Sequence, residues 1–219
     1  MNGNRALLLF LAASLACPAY GRDEGAIVVL REETLDLSRP LAGAQAPRLE
    51  LQLHAVYFDG GGWERETLVE ALRQGVPLLA QCGVQLARAQ LLQVDAPRKY
   101  QFYFTPVSRE FARRGAFPRP TVYFVRDTLN HPGFDAEAIG LANSRSRPEL
   151  ANSVWVTLGT PDLAIALAHE LAHVLMDSGG HSAQPGNLMR ADTAPGNTSL
   201  DTGQCERLRR AGLENGLLR

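Results

Sequence analysis

The stretch that decides the reading runs from residue 169 to residue 189, HELAHVLMDSGGHSAQPGNLM. It opens on His169-Glu170-Leu171-Ala172-His173, and His181 follows, so three of the chain's five histidines fall within thirteen residues. On a helix, residues four apart project from one face, about 6 Å apart along the axis. Two imidazoles placed that way can converge on one tetrahedral zinc ion. Glu170 points to the side, where it can reach a zinc-bound water as a general base instead of the metal.

The flanking residues fit a buried helix. Leu163, Ala164, Leu167, Ala168, Leu171, Ala172 and Leu175 make it apolar over most of its surface. Unpaired polar groups on such a helix cost free energy, and a metal gives the imidazoles a reason to be there. Thr160 is positioned as an N-cap, Pro161 fits the first turn, and Asp162 faces the positive end of the helix dipole.

A third ligand cannot continue the same helical row. Asp177 lies about 12 Å beyond His169 along a continuous axis, too far for both to touch one ion. The chain must end the helix and double back. Asp177-Ser178-Gly179-Gly180-His181 supplies this, because two glycines permit positive φ and a histidine follows at once. His181 is therefore the expected third ligand, with water in the fourth position. Asp177 is the next candidate if the helix breaks early.

With these residues in place, the stretch resembles the metzincin zinc peptidases, especially their matrixin-like branch. That pattern is HExxHxxGxxH followed by a methionine-containing turn beneath the metal. Ser182, Pro185 and Met189 fit the matrixin-like spacing after the third histidine without a gap. The resemblance implies that Met189 is the Met-turn residue, an apolar floor under the site. It also implies a zincin-like fold acting on peptide or protein substrates. The chain departs from the pattern at Met176, which stands where the family has glycine, and His181 arrives two residues late. No tyrosine follows Met189 in Arg190-Ala191-Asp192-Thr193-Ala194-Pro195-Gly196, so a tyrosine switch there is not supported.

The first twenty-one residues read as a secretory signal peptide. Arg5 is the charged start, Ala6 to Ala16 the apolar stretch, and Ala19-Tyr20-Gly21 the small-x-small cleavage site. That stretch is too short to span a bilayer. A secreted or periplasmic location is expected, and a lipoprotein through Cys17 is disfavoured by Ser14, where a large aliphatic residue belongs. The charge balance is close to even, 22 basic against 23 acidic residues, with no basic run, so nucleic acid is not an expected partner. Cys82 and Cys205 are the two cysteines left after cleavage. In an oxidising compartment they most simply form one disulfide, contributing up to about 4–5 kcal/mol in the chain-entropy model.

Outward from the motif, the pattern predicts one α+β domain over residues 49–219, after a polar lead-in at 22–48 whose Pro40–Pro47 stretch reads as a linker. Leu49 to Phe58 alternates as a strand, with His54 on the polar face beside Glu50 and Gln52 and so expected to be solvated. A long helix is expected at Trp63–Gln81, strands at Val84–Val94 and Lys99–Phe104, and a short helix at Pro106–Arg114. Buried strands are expected at Thr121–Val125 and Ser153–Leu158, a turn at Asn130–Asp135 holding His131, and a last helix at Gln204–Ala211. This order is similar to the metzincin topology, a mixed twisted sheet with a long helix, an HExxH helix and a C-terminal helix. In that fold an edge strand above the cleft pairs with an extended peptide, and residues 136–143 stand in the corresponding place. The expectation is a secreted zinc-dependent endopeptidase, a monomer with no membrane span. The alternative is an exported binding or envelope-associated protein that keeps the zinc fold without proteolysis.

Overall fold

The computed structural model describes residues 25–38, 49–128, 138–141 and 148–219. The stretch read as a signal peptide, the Pro40–Pro47 stretch and the expected turn with His131 lie outside the described residues. The parallel strands set the architecture. β2 (Leu49–Phe58) and β3 (Val84–Asp95) pair in parallel, which requires a long crossover, and α1 (Arg65–Ala80) provides it. β5 (Thr121–Val125) joins the other side of β2 in parallel, and β8 (Ser153–Thr157) joins β5. Every residue of β5 and β8 is buried, as expected for parallel strands covered on both faces.

Two antiparallel strands complete this sheet. β1 (Val28–Asp36) lies against β3, and β7 (Ala138–Leu141) lies against β8, giving the order β1-β3-β2-β5-β8-β7. The region expected to be a lead-in thus contributes a strand. The Arg65 guanidinium bonds Glu33 of β1 and ties that strand to α1. With four helices, the described elements form one mixed α/β domain.

Alternation along the strands sends neighbouring residues to two different cores. Val122, Phe124, Val154 and Val156 meet an aliphatic layer built from α1, α3 (Leu163–Met176) and α4 (Thr202–Glu214). Tyr123 and Trp155, one residue out of phase, stack at 4.2 Å on the opposite face. There they join Phe58, Tyr100, Tyr103 and Phe117, together with Phe111 of α2 (Thr105–Gly115). Cys82, just past α1, is bonded to Cys205 in the first turn of α4.

Two sequence expectations are corrected here. Lys99–Phe104 is not a single strand. Arg98–Gln101 forms a 3-10 turn, followed by the two-residue β4 (Phe102–Tyr103), which pairs with β6 (Asp127–Thr128) outside the main sheet. Tyr100 and Tyr103 there are committed to the second core, and the buried Tyr100 donates its hydroxyl to Glu110 at 2.7 Å. His54 is not fully solvated either: it is half-buried, because β2 is a central strand and His54 lines a small pocket with Pro118, Arg119, Leu217 and Arg219. Its Nδ1 is buried without a partner among the described residues, and burial lowers its pKa.

Candidate metal centre

α3 carries the site. Its apolar run does what the pattern predicts: Ala166 through Met176 are all buried, with His169, Glu170 and His173 among them. The start differs from expectation. Thr160 is not the N-cap; its hydroxyl donates to the Thr157 carbonyl and closes the turn after β8. Asp162 occupies the cap in a left-handed conformation, with no side-chain cap bond. The helix enters its first turn already packed against α1, so tertiary contacts replace the local cap.

The exit from α3 turns the chain back as required, but by a different residue. Asp177 has φ 48° and ψ 50°, the left-handed C-cap, and its N–H and that of Ser178 close onto Val174 and His173 carbonyls. Gly179 and Gly180 do not adopt positive φ. Met176 is the last helical residue, and the left-handed position falls on Asp177.

The result brings the three histidines together. Their ligand atoms all lie within 4.8 Å of one another, and among the described residues they form the one such cluster. His173 Nε2 is 2.9 Å from His169 Nε2 and 3.3 Å from His181 Nε2. Asp177 stands outside the cluster. His169 and His173 are buried and His181 is exposed, so the site is seated in the fold and open on one side.

The other ring nitrogens explain the orientation. His169 Nδ1 lies 2.7 Å from the Leu188 carbonyl, and His173 Nδ1 lies 2.6 Å from the Ser178 carbonyl. A carbonyl only accepts, so each Nδ1 carries the hydrogen and each Nε2 keeps a lone pair. Burial holds both rings neutral, lowering the pKa of His169 and taking that of His173 down to about 4. Two acceptor lone pairs facing each other at 2.9 Å repel unless a cation lies between them. Tetrahedral coordination at ordinary zinc–nitrogen lengths puts ligand nitrogens about 3.3 Å apart, close to the spacing here. The three imidazoles therefore fit a metal ion, and His donors held by backbone carbonyls are the usual support for one.

Glu170 does not enter the nitrogen cluster. Its Oε1 lies 3.9 Å from His169 Nε2, beside the ligands and still on the buried side of α3. Met189 is fully buried in the aliphatic core and follows Leu188, whose carbonyl orients His169. Its own carbonyl accepts from Ser182 N–H at 2.7 Å, which ties the turn to the residue after His181. A cavity of about 490 Å³ opens beside His181, bounded by Met176, Ser178, Gln204 and Arg207.

Sequence reasoning missed Asn187 and Gln204. Asn187 is buried and pairs with Gln204 of α4, and its Oδ1 accepts from Met189 N–H at 2.8 Å. The spacing Asp201-Thr202-Gly203-Gln204 is a capping-box signature that could have located the start of α4. Nothing local links it to Asn187, seventeen positions earlier.

No protein-family model matches the chain, and no curated protein matches it. Among solved structures, the chain is similar to a crystal structure of metalloproteinase-II from Bacteroides fragilis, with a TM-score of 0.49 and 16% sequence identity. The match covers 82% of this chain and 57% of that one.

Proposed function

We propose that this chain is a secreted zinc-dependent endopeptidase, with His169, His173 and His181 as metal ligands and Glu170 as general base. The observation that carries the reading is the convergence of three imidazole nitrogens within 4.8 Å, with a carboxylate beside them on the same buried helix. A zinc ion held there supplies Lewis acidity, which makes water acidic near neutral pH and polarises a carbonyl. The Leu188 and Ser178 carbonyls hold the His169 and His173 rings in the tautomer that presents Nε2. The Glu170 carboxylate takes a proton from the attacking water as its oxygen bonds to the scissile carbonyl carbon. It then passes that proton to the amine nitrogen as the carbon–nitrogen bond breaks.

Substrate placement follows from the sheet. β7 is the last strand in the order on the side of β8, runs antiparallel to it, and packs beside α3. An extended peptide adding to that edge lies along the helix that carries the ligands. Export is supported by the signal-like first twenty-one residues and by the Cys82–Cys205 bond, which suits an oxidising compartment. Among the described residues no helix is long and apolar enough to cross a membrane.

The test compares wild type, His181→Ala and Glu170→Ala for zinc content and for cleavage of a diverse peptide library. Wild type should hold about one zinc per chain, as three ligands and one open position require. His181→Ala should lose or greatly weaken it. Glu170→Ala should keep the metal and lose turnover. Zinc bound with no peptide cleaved by wild type would favour the non-catalytic binding protein, and no zinc at all would withdraw the metal site.

A further inference from the structure

We propose that Asn187 and Gln204 are a positioning pair for the metal centre, fixing the His169 ring through the Leu188 carbonyl; this rests on the metal-site reading above. The two side-chain amides bond reciprocally. Asn187 Nδ2 donates to Gln204 Oε1 at 2.9 Å, and Gln204 Nε2 donates to Asn187 Oδ1 at 3.1 Å. Asn187 Oδ1 also accepts the Met189 N–H at 2.8 Å, and the Leu188 N–H is held by the Ser199 carbonyl at 2.7 Å. The peptide unit that contains the Leu188 carbonyl and the Met189 N–H is therefore anchored, and so is the unit before it. That carbonyl is the group that receives His169 Nδ1–H.

Only a paired amide does this work in a neutral, buried setting. Asn187 is 3% exposed, and its partner must accept one hydrogen bond and donate another without bringing a charge. Gln204 has a second engagement that makes it rigid. Its backbone N–H donates to Asp201 Oδ1, and its Oε1 accepts from the Asp201 N–H, both at 2.8 Å. The start of α4 is further held by the Cys205 bond to Cys82. The pair thus transmits the position of α4 to a ligand on α3.

The experiment separates this role from helix capping. Gln204→Ala removes the amide pair together with the acceptor of the Asp201 N–H, whereas Asp201→Ala removes the acceptor of the Gln204 N–H and leaves the pair intact. Zinc affinity is measured by competition with a chromophoric chelator, the ligand geometry by the d–d absorption of the cobalt(II)-loaded protein, and stability by melting of the metal-free protein. Gln204→Ala should weaken zinc binding about 10-fold and alter the cobalt spectrum, as lost outer support of a ligand does. Asp201→Ala should melt earlier while zinc affinity and cobalt spectrum stay at wild type. Gln204→Glu keeps the acceptor for Asn187 Nδ2 but sets a charged oxygen against Asn187 Oδ1, so it should weaken zinc binding as Gln204→Ala does. Wild-type affinity and spectrum in Gln204→Ala would overturn the proposal. So would equal loss of affinity in Asp201→Ala and Gln204→Ala, since that would make helix capping the cause. Absence of zinc binding by wild type would bring down the metal-site reading itself, and the positioning role with it.

Discussion

Two loops complete the histidine cluster, and they are built in opposite ways. The one carrying His181, residues 177–182, is mostly exposed and turns on a single left-handed residue, Asp177. The one supplying the Leu188 carbonyl, residues 186–190, has Asn187, Leu188 and Met189 buried, and side-chain amides and the Ser199 carbonyl hold it. Both supply a carbonyl to a ligand imidazole, Ser178 to His173 and Leu188 to His169. The difference teaches where the site can vary. The exposed loop has room to vary, whereas the buried one is fixed by its packing and hydrogen bonds.

The largest effect should come from the buried loop. Met189→Ala removes a fully buried side chain from the aliphatic core and should destabilise the metal-free protein by about 2–5 kcal/mol. Met189→Leu, similar in volume, should cost less than about 1.5 kcal/mol. Urea unfolding of the metal-free variants checks both. On the exposed loop, Ser178→Ala removes only a surface hydroxyl that accepts the Gly180 N–H at 3.3 Å. Its cost should be within about 0.5 kcal/mol. Equal costs at Met189 and Ser178 would erase the distinction between the loops.

A smaller effect should come from Gly186, where the buried loop begins. Its φ of 74° lies in the left-handed region, and its carbonyl accepts from both Thr198 and Ser199 N–H groups. A Cβ there meets only ordinary contact with the Gly196 carbonyl at 3.6 Å, so the cost of Gly186→Ala is conformational. It should be about 1–2 kcal/mol. A wild-type unfolding midpoint in that variant would show that the turn does not depend on this backbone geometry.

How far the sequence reached follows the same division. The helix and the strand pattern were legible because their periods are local: α3 was readable from its apolar run, and β5 and β8 from five-residue apolar stretches. The convergence of His181 on His169 and His173 was legible because a short connection leaves few alternatives. What stayed hidden depends on distant chain. Thr160 looked like a cap because its neighbours suit one, yet packing against α1 starts the helix two residues later. His54 looked solvated because β2 alternates, and only the sheet order makes that strand central. Val28–Asp36 looked like a lead-in because its apolar run is short, and its partner is β3, more than fifty residues on. The Asn187–Gln204 pair joins two segments that no periodicity connects.

The last contrast is between the glycines of the two loops, and it predicts opposite signs. From sequence alone, Gly179 and Gly180 looked like the residues that make the reversal before His181 possible. In the structure neither has positive φ, and a Cβ at Gly179 would meet nothing within 4 Å. An alanine there fits the folded backbone without strain and restricts the unfolded chain. Gly179→Ala should therefore leave stability unchanged or raise it by about 0.4–1 kcal/mol, where Gly186→Ala lowers it. Zinc affinity should be retained, because the Asp177 turn and the Ser178 carbonyl that orients His173 are untouched. Urea unfolding of both variants, run beside zinc titration, gives the comparison. A destabilised Gly179→Ala with weakened zinc binding would mean that the exposed loop does need glycine to bring His181 back, and that Asp177 alone does not make the turn.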